Sequence, residues 1–346
     1  MEVVTINGRN GESQVLIGET LNNVWNYIKQ DNVFIITDAN VKHHYHSLFP
    51  HFPIYCVEAS ENSKNLEVVA DIFRWLLSQG ADRSSFILGI GGGVVCDIAG
   101  FVASTYMRGV KFGFVATSLL AQVDASIGGK NGVNLDGYKN IVGIFNQPQF
   151  VICDIKILET LPAEEFANGF AEIVKHTLIA DAQMFGFMEE NIEEIKSFNP
   201  VVIEKLVNHS VNVKASIVQV DEYENGDRKK LNLGHTWGHA FEKATGLSHG
   251  KSVSIGLEFA ARFSESKGLL DKRDYLRIIN LLRELNLPTF FSINPLRIFD
   301  ALVKDKKKEQ GSVNFVLMDG IGKVKVELIS LGEVKVFAEG VLPNKT

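Results

Sequence analysis

Apolar residues in the first half of the chain come in short β-branched runs separated by turn formers. Asn32–Thr37, Pro53–Val57, Ser85–Ile90, Phe112–Ala116 and Phe150–Cys153 each read as a buried strand. Between most of them the apolar spacing lengthens to that of a helix, most clearly over 65–79 and 96–107. Such alternation predicts an α/β fold, a Rossmann-like parallel sheet covered by helices, with ligands at the carboxyl ends of its strands. After about residue 160 the strand signal fades. Phe166, Phe170, Ile173 and Val174 keep helical spacing, and helical patterns cover roughly 183–196, 200–220, 229–244, 252–268, 271–286 and 294–304. Late apolar runs at Val313–Met318 and Lys323–Ile329 flank Asp319-Gly-Ile-Gly322 and predict a small hairpin. The expected division is a domain over 1–160 and a mainly helical one over 161–346. No flexible linker separates them, so tight packing around a shared cleft is expected.

Composition narrows the function classes. A chain of 346 residues with 45% hydrophobic and 22% charged residues has the make-up of an ordinary globular protein. A net charge of -6 offers no electrostatic footprint for nucleic acid. Cys56, Cys96 and Cys153 are odd in number and far apart, which argues against a disulfide framework and for a reducing compartment. The start, Met-Glu-Val-Val-Thr-Ile, has no basic end or apolar signal core, and no run approaches a membrane span. A cytoplasmic protein is expected.

The chemistry is concentrated in a few segments. On a helix, Asn232, His235, His239 and Glu242 would form one polar stripe, with Leu231, Leu233, Trp237, Ala240 and Phe241 around it. Such a stripe inside a buried helix is costly unless something binds it. Two imidazoles a turn apart, with His249 ten residues on, suit a divalent metal; a pair of hydrogen-bonded core histidines is the alternative. Gly91-Gly-Gly93-Val-Val-Cys-Asp97 follows a strand and opens a helix, where backbone N–H groups favour a phosphate. Its spacing departs from the dinucleotide fingerprint, and tight packing would explain it too. In Gln122–Lys130 and Lys139-Asn140, lysines beside glycines suit a phosphate and Asp124 a sugar hydroxyl, or the segment is a solvated loop. Glu172, Lys175 and Asn168 share a stripe that is either a solvent-facing edge or the source of a carboxylate ligand. Lys214, among Val211, Val213, Ile217 and Val218, reads by itself as a snorkelling lysine. Arg228 lies one turn before Asn232 if that helix starts early enough, and Lys304–Lys308 reads as a solvated charge cluster.

Taken in order, these segments resemble the 3-dehydroquinate synthase family from about Glu61 to Lys308. The motifs are Gly91–Asp97, Tyr106-Met-Arg108-Gly, Leu119-Leu-Ala-Gln-Val-Asp124, Gly128-Gly-Lys130, Lys139-Asn140, Thr160-Leu-Pro and Ala171-Glu172-Ile-Val-Lys175. They continue with Lys214-Ala, Asp221-Glu-x-Glu224-x-Gly-x-Arg228, Leu231-Asn-Leu-Gly-His235-Thr-x-Gly-His239-Ala, His249-Gly and Asp305-Lys-Lys. One match would be weak; the ordered set is specific.

The resemblance implies an NAD-binding α/β domain, a helical metal domain and an active site between them. It implies Glu172, His235 and His249 as ligands of one divalent metal, zinc or cobalt. It moves His239 from the metal to proton transfer, with Glu224 as a further proton acceptor and Lys175 among the catalytic groups. NAD+ contacts are implied at Asp38, Asn40, Glu61, Lys64, Gly92, Gly93, Asp97, Thr117, Ser118, Lys130, Lys139, Thr160 and Leu161. Substrate contacts are implied at Asp124, Lys130, Asn140, Lys175, Lys214, Arg228, Asn232 and a lysine of the pair Lys306 and Lys307. Arg108 matches a residue that reaches the neighbouring subunit's site, so a homodimer is implied.

The implied reaction is a lyase reaction turning 3-deoxy-D-arabino-heptulosonate 7-phosphate into 3-dehydroquinate and phosphate, with NAD+ regenerated. Alternatives are an inosose- or valiolone-type sugar-phosphate cyclase, or a metal-dependent polyol dehydrogenase. The chain departs from the family's usual residues at Cys96, Ala116, Ser118, Glu164, Trp237 and Lys251. None of these is an implied metal ligand or substrate contact, and among the implied NAD+ contacts only Ser118 is affected.

Overall fold

The computed structural model describes residues 1–9, 11–49, 51–305 and 311–341; Lys306 and Lys307 therefore lie outside the described residues. The chain forms two compact units that do not divide at a single point: Met1–Phe166 with Ile203–Tyr223, and Ala167–Val202 with Glu224–Thr346.

The first unit is built on a seven-stranded sheet. In chain order the strands and helices are β1 (Glu2–Gly8), β2 (Gly11–Ile17), β3 (Val33–Asp38), α1 (Ala39–Tyr45), β4 (Ile54–Val57), α2 (Leu66–Ser78), β5 (Phe86–Gly91), α3 (Gly93–Thr105) and β6 (Lys111–Ala116). A hairpin of β7 (Lys130–Leu135) and β8 (Tyr138–Phe145) stands apart from the sheet, and β9 (Phe150–Cys153) returns to it. The order is β1-β2-β9-β6-β5-β3-β4, parallel throughout except for the antiparallel pair β1 and β2. The five runs expected as strands are β3, β4, β5, β6 and β9, and all six residues of β3 and of β5 are buried, as strands covered on both faces must be. One apolar cluster joins them, including Val33, Ile35, Phe86, Leu88, Val115, Phe150 and Ile152. Two hairpins were not expected, β1 with β2 and β7 with β8.

The second unit is helical. It holds α4 (Ala163–Ala180) from Ala167 on, α5 (Ala182–Glu190), α6 (Ile192–Lys196), and the first turn of α7 (Pro200–Val220). The remainder of α7 belongs to the first unit: Gln219 Nε2 donates to the Thr5 carbonyl, and the next segment's Glu222 accepts from the Arg9 N–H at 3.0 Å. Then come α8 (His235–Thr245), α9 (His249–Ser266), α10 (Lys272–Glu284), α11 (Pro295–Asp305), the antiparallel pair β10 (Ser312–Met318) and β11 (Val324–Ser330), and α12 (Leu331–Val341). Trp237, Phe259 and Phe263 pack with Phe315, Leu317 and Val334, tying the late hairpin and α12 to α8 and α9. The helix expected over 229–244 starts only at His235, and the one expected over 183–196 breaks at Asn191. No helix among the described residues is long and apolar enough to cross a membrane.

Candidate active site

Three helix segments of the second unit converge on one carboxylate. Glu172 lies in the middle of α4, fully buried. His235 is the first residue of α8 and His249 the first of α9. Their placement follows from local backbone. Gly234 takes φ +76, a left-handed conformation that L side chains rarely adopt, and so sets the sharp entry into α8. It also overturns the single stripe expected from spacing. Asn232 closes a 3-10 turn over Asp227–Asn232, leaving only His235, His239 and Glu242 on one helix, and Arg228 sits on that turn rather than on α8. At the start of α9, Gly250 lies directly against the backbone of Asn168 on α4. Beside it, Ser248 Oγ donates to Asn168 Oδ1 at 2.9 Å, which fixes the entry to the helix and with it His249.

The Nε2 atoms of His235 and His249 lie 3.5 and 3.4 Å from Glu172 Oε1. One ligand atom from each of the three residues falls within 4.8 Å of the others, whereas His239 is outside this group. Its ring stands 5.3 Å from that of His235 and 6.5 Å from that of His249. Among the described residues neither Glu172 oxygen accepts a hydrogen bond of ordinary geometry, and both are sealed from solvent; Lys175, one turn on, forms an ion pair with Oε2. Burial would push the Glu172 carboxyl up, but Lys175, His235 and His249 together hold it well below the usual carboxylate range. Burial and then the Lys175 ammonium push the His235 imidazole well below its usual value. Burial also pushes His249 down, but Glu172 and Glu242 outweigh it and carry it up to about 9.

His235 Nδ1 faces the Leu233 carbonyl at 3.1 Å, so a proton there leaves Nε2 as a lone pair toward Glu172. Glu242 Oε2 stands 3.9 Å from His249 Nδ1. One buried carboxylate and two imidazoles, with a carbonyl behind one and a carboxylate behind the other, is a donor set that fits a divalent metal. The solvent-facing reading of Glu172 and Lys175 fails, since both are buried.

Also in the second unit, Asn232 Nδ2 donates to Glu224 Oε1 at 2.5 Å, and Glu224 holds φ +61. Arg228 is buried at 2% exposure. In the first unit, Lys214 Nζ donates to Asp124 Oδ1 at 2.6 Å and to its carbonyl at 2.7 Å, which replaces the snorkelling reading. Asp124 is carried by a π-helical turn, Ala121–Ala125, rather than a loose loop. Gln122 Nε2 pins this turn to the carbonyls of Ala116 and Asp154 at 3.0 and 2.9 Å.

The implied NAD+ contacts gather largely at the carboxyl ends of the parallel strands. Asp38 ends β3 and caps α1 by accepting from Asn40 and Val41 N–H. Gly92 caps α3 and Gly93 opens it; Thr117 and Ser118 follow β6. Buried Lys64 and part-buried Asp97 form an ion pair. Glu61 accepts from Asn134 at 2.9 Å and stands 4.0 Å from Lys139. Thr160 Oγ1 shares a 2.7 Å hydrogen bond with Tyr45 OH, and Leu161 follows directly. Lys130, Asn140 and Arg108 are exposed, with Asn140 and Arg108 in left-handed backbone. Sequence reasoning missed Asn134 and Glu242 as partners of site residues. Glu242's place on the His235 face of α8 was the available signal.

Two solved structures share this arrangement of sheet and helices. A 2-deoxy-scyllo-inosose synthase complexed with carbaglucose-6-phosphate, NAD+ and Co2+ is 26% identical, with a TM-score of 0.87 over 98% of this chain and 100% of that one. A 2-epi-5-epi-valiolone synthase from Streptomyces hygroscopicus subsp. jinggangensis 5008, with NAD+ and Zn2+ bound, is 25% identical, with a TM-score of 0.87 over 97% and 98%. The class is that of the sugar phosphate cyclases. Within it, residues 54–168 match the 3-dehydroquinate synthase N-terminal family model and 169–308 the C-terminal one. A 3-dehydroquinate synthase of Dehalococcoides mccartyi (strain CBDB1) is 40% identical over 94% of this chain and 95% of its own length. The chain belongs to the 3-dehydroquinate synthase family and is an enzyme of that cyclase and lyase type.

Proposed function

We infer that the protein converts 3-deoxy-D-arabino-heptulosonate 7-phosphate to 3-dehydroquinate and inorganic phosphate, with NAD+ and one divalent metal as cofactors. The observation that carries this reading is the cluster of Glu172, His235 and His249 beside Lys175, in a chain of this family. Those three residues would hold the metal, zinc or cobalt. When bound, it acts as a Lewis acid that eases deprotonation of a substrate hydroxyl. NAD+, held by Asp38, Asn40, Glu61, Lys64, Gly92, Gly93, Asp97, Thr117, Ser118, Lys130, Lys139, Thr160 and Leu161, supplies a reversible hydride acceptor.

The protein's own groups do the rest. His239, one turn from His235, relays the hydroxyl proton, with Glu224 as the second acceptor. Lys130, Lys175, Lys214 and Asn140 bind the phosphate and hydroxyls, and Asp124 orients a hydroxyl while Lys214 holds its carboxylate. Arg228, on the same turn as Asn232, takes the substrate carboxylate in a bidentate contact through its guanidinium. A lysine of the pair Lys306 and Lys307 completes the contacts.

Arg228 and Asn232 favour the carboxylate-bearing substrate over those of the inosose and valiolone enzymes. Turnover of the heptulosonate should therefore exceed that of glucose 6-phosphate and sedoheptulose 7-phosphate. The reverse order would give the function to another cyclase branch. Net NADH accumulation with a simple polyol would indicate a dehydrogenase.

The same reading makes the protein a cytoplasmic homodimer in which Arg108 completes the partner's phosphate site. Mixing Arg108→Ala with Lys175→Ala chains should then restore some activity, because one site per hybrid dimer carries neither lesion. No recovery after confirmed subunit exchange would remove Arg108 from that role.

A further inference from the structure

Asn134 occupies an irregular position of the β7–β8 hairpin, between the pairs Val133 with Val142 and Leu135 with Tyr138. Freed from that ladder, its backbone N–H donates to the Lys64 carbonyl at 2.8 Å, and it forms a parallel bridge with Asn65. Its side chain reaches two other groups. Nδ2 donates to Glu61 Oε1 at 2.9 Å, and Oδ1 accepts from the Asn140 N–H at 2.9 Å. The amide orientation is dictated by its neighbours, because the flipped form would set oxygen against a carboxylate and NH2 against an N–H. Asparagine fits both partners at once: aspartate has no donor for Glu61, and alanine has neither group.

Both partners need holding. Asn140 sits exposed at φ +52, in the left-handed region that even asparagine enters less readily than glycine. Glu61 is half-buried, with Lys139 a further 4.0 Å away. We propose that Asn134 is a positioning residue that locks Glu61 and Asn140 in one register, coupling the cofactor contact to the substrate contact. This rests on the reading of Glu61 as an NAD+ contact and Asn140 as a substrate contact.

The test uses the full-length protein, with NAD+ affinity by titration calorimetry and steady-state KM for the heptulosonate. Asn134→Asp is isosteric and keeps the acceptor for Asn140, but sets a second carboxylate against Glu61. Its NAD+ Kd should rise roughly tenfold, the scale of one charge-assisted hydrogen bond, with KM changed less than threefold. Asn134→Ala loses both bonds and should raise Kd and KM together. Combining Asn134→Asp with Glu61→Gln restores a donor and acceptor in exchanged places, so NAD+ affinity should return to that of Glu61→Gln alone. A rescue of this kind separates positioning from general destabilisation. NAD+ affinity of Asn134→Asp within twofold of the parent, or a double variant that binds NAD+ clearly more weakly than Glu61→Gln alone, overturns the inference. Unchanged NAD+ affinity in Glu61→Gln alone would sink the cofactor assignment beneath it, and the inference with it.

Discussion

Gly250→Ala tests how the metal cluster is assembled. By helix propensity alone this change, within the first turn of α9, should stabilise the protein by up to about 1 kcal/mol. The structure reverses the sign. A Cβ at Gly250 would lie 2.5 Å from Asn168 Cα and 2.8 Å from its carbonyl carbon, with the carbonyl oxygen closer still, whereas ordinary contact begins at 3.4 Å. Opening 2.5 to 3.4 Å moves the two helices apart by about 0.9 Å, since the obstacle is backbone that cannot rotate away. Overpacking of this kind costs about 1–3 kcal/mol, so a net loss of about 2 kcal/mol is expected at this rigid contact.

His249 is the preceding residue and moves with the helix start. Metal–ligand distances tolerate about 0.2 Å, so affinity should fall by at least roughly tenfold. The assay is thermal unfolding in excess chelator for the first effect, and zinc competition against a chromogenic chelator for the second. A variant that melts at or above the parent's temperature in chelator and binds zinc within twofold of it would refute the packing argument.

Lys64→Met leaves the part-buried Asp97 carboxylate without its ion-pair partner and should cost about 2 kcal/mol of stability; denaturant titration should show most of that loss recovered in the double variant Lys64→Met with Asp97→Asn. Burial pushes the Cys96 and Cys153 thiols up and shields them, so a thiol reagent at pH 8 should label one cysteine, the exposed Cys56, in the native protein and all three after denaturation.

Local pattern carried the parallel sheet and most helices, because both rest on apolar periodicity. It failed where backbone, not side chains, makes the contact. Gly132 and Gly143 let β7 and β8 approach closely, and with Asn131 and Asn134 in the same strand the hairpin reads as a polar loop. The stripe from Asn232 to Glu242 failed at one residue, since spacing cannot register that Gly234 turns left-handed. Lys214 reads as a surface lysine by its neighbours because its partner, Asp124, is 90 positions away. The candidate site was legible as an ordered set of motifs. Its partners were not, because Asn134 links Glu61 to Asn140 across 73 and 6 positions.

As a reversible hydride acceptor that each turnover restores, bound NAD+ should be indispensable for phosphate release. The most direct measurement is phosphate release from 3-deoxy-D-arabino-heptulosonate 7-phosphate by protein stripped of NAD+, before and after NAD+ is returned. Negligible release without NAD+, full recovery on its return, and 3-dehydroquinate formed in equal amount with no net NADH are expected. Equal phosphate release by the stripped protein would contradict this requirement for NAD+.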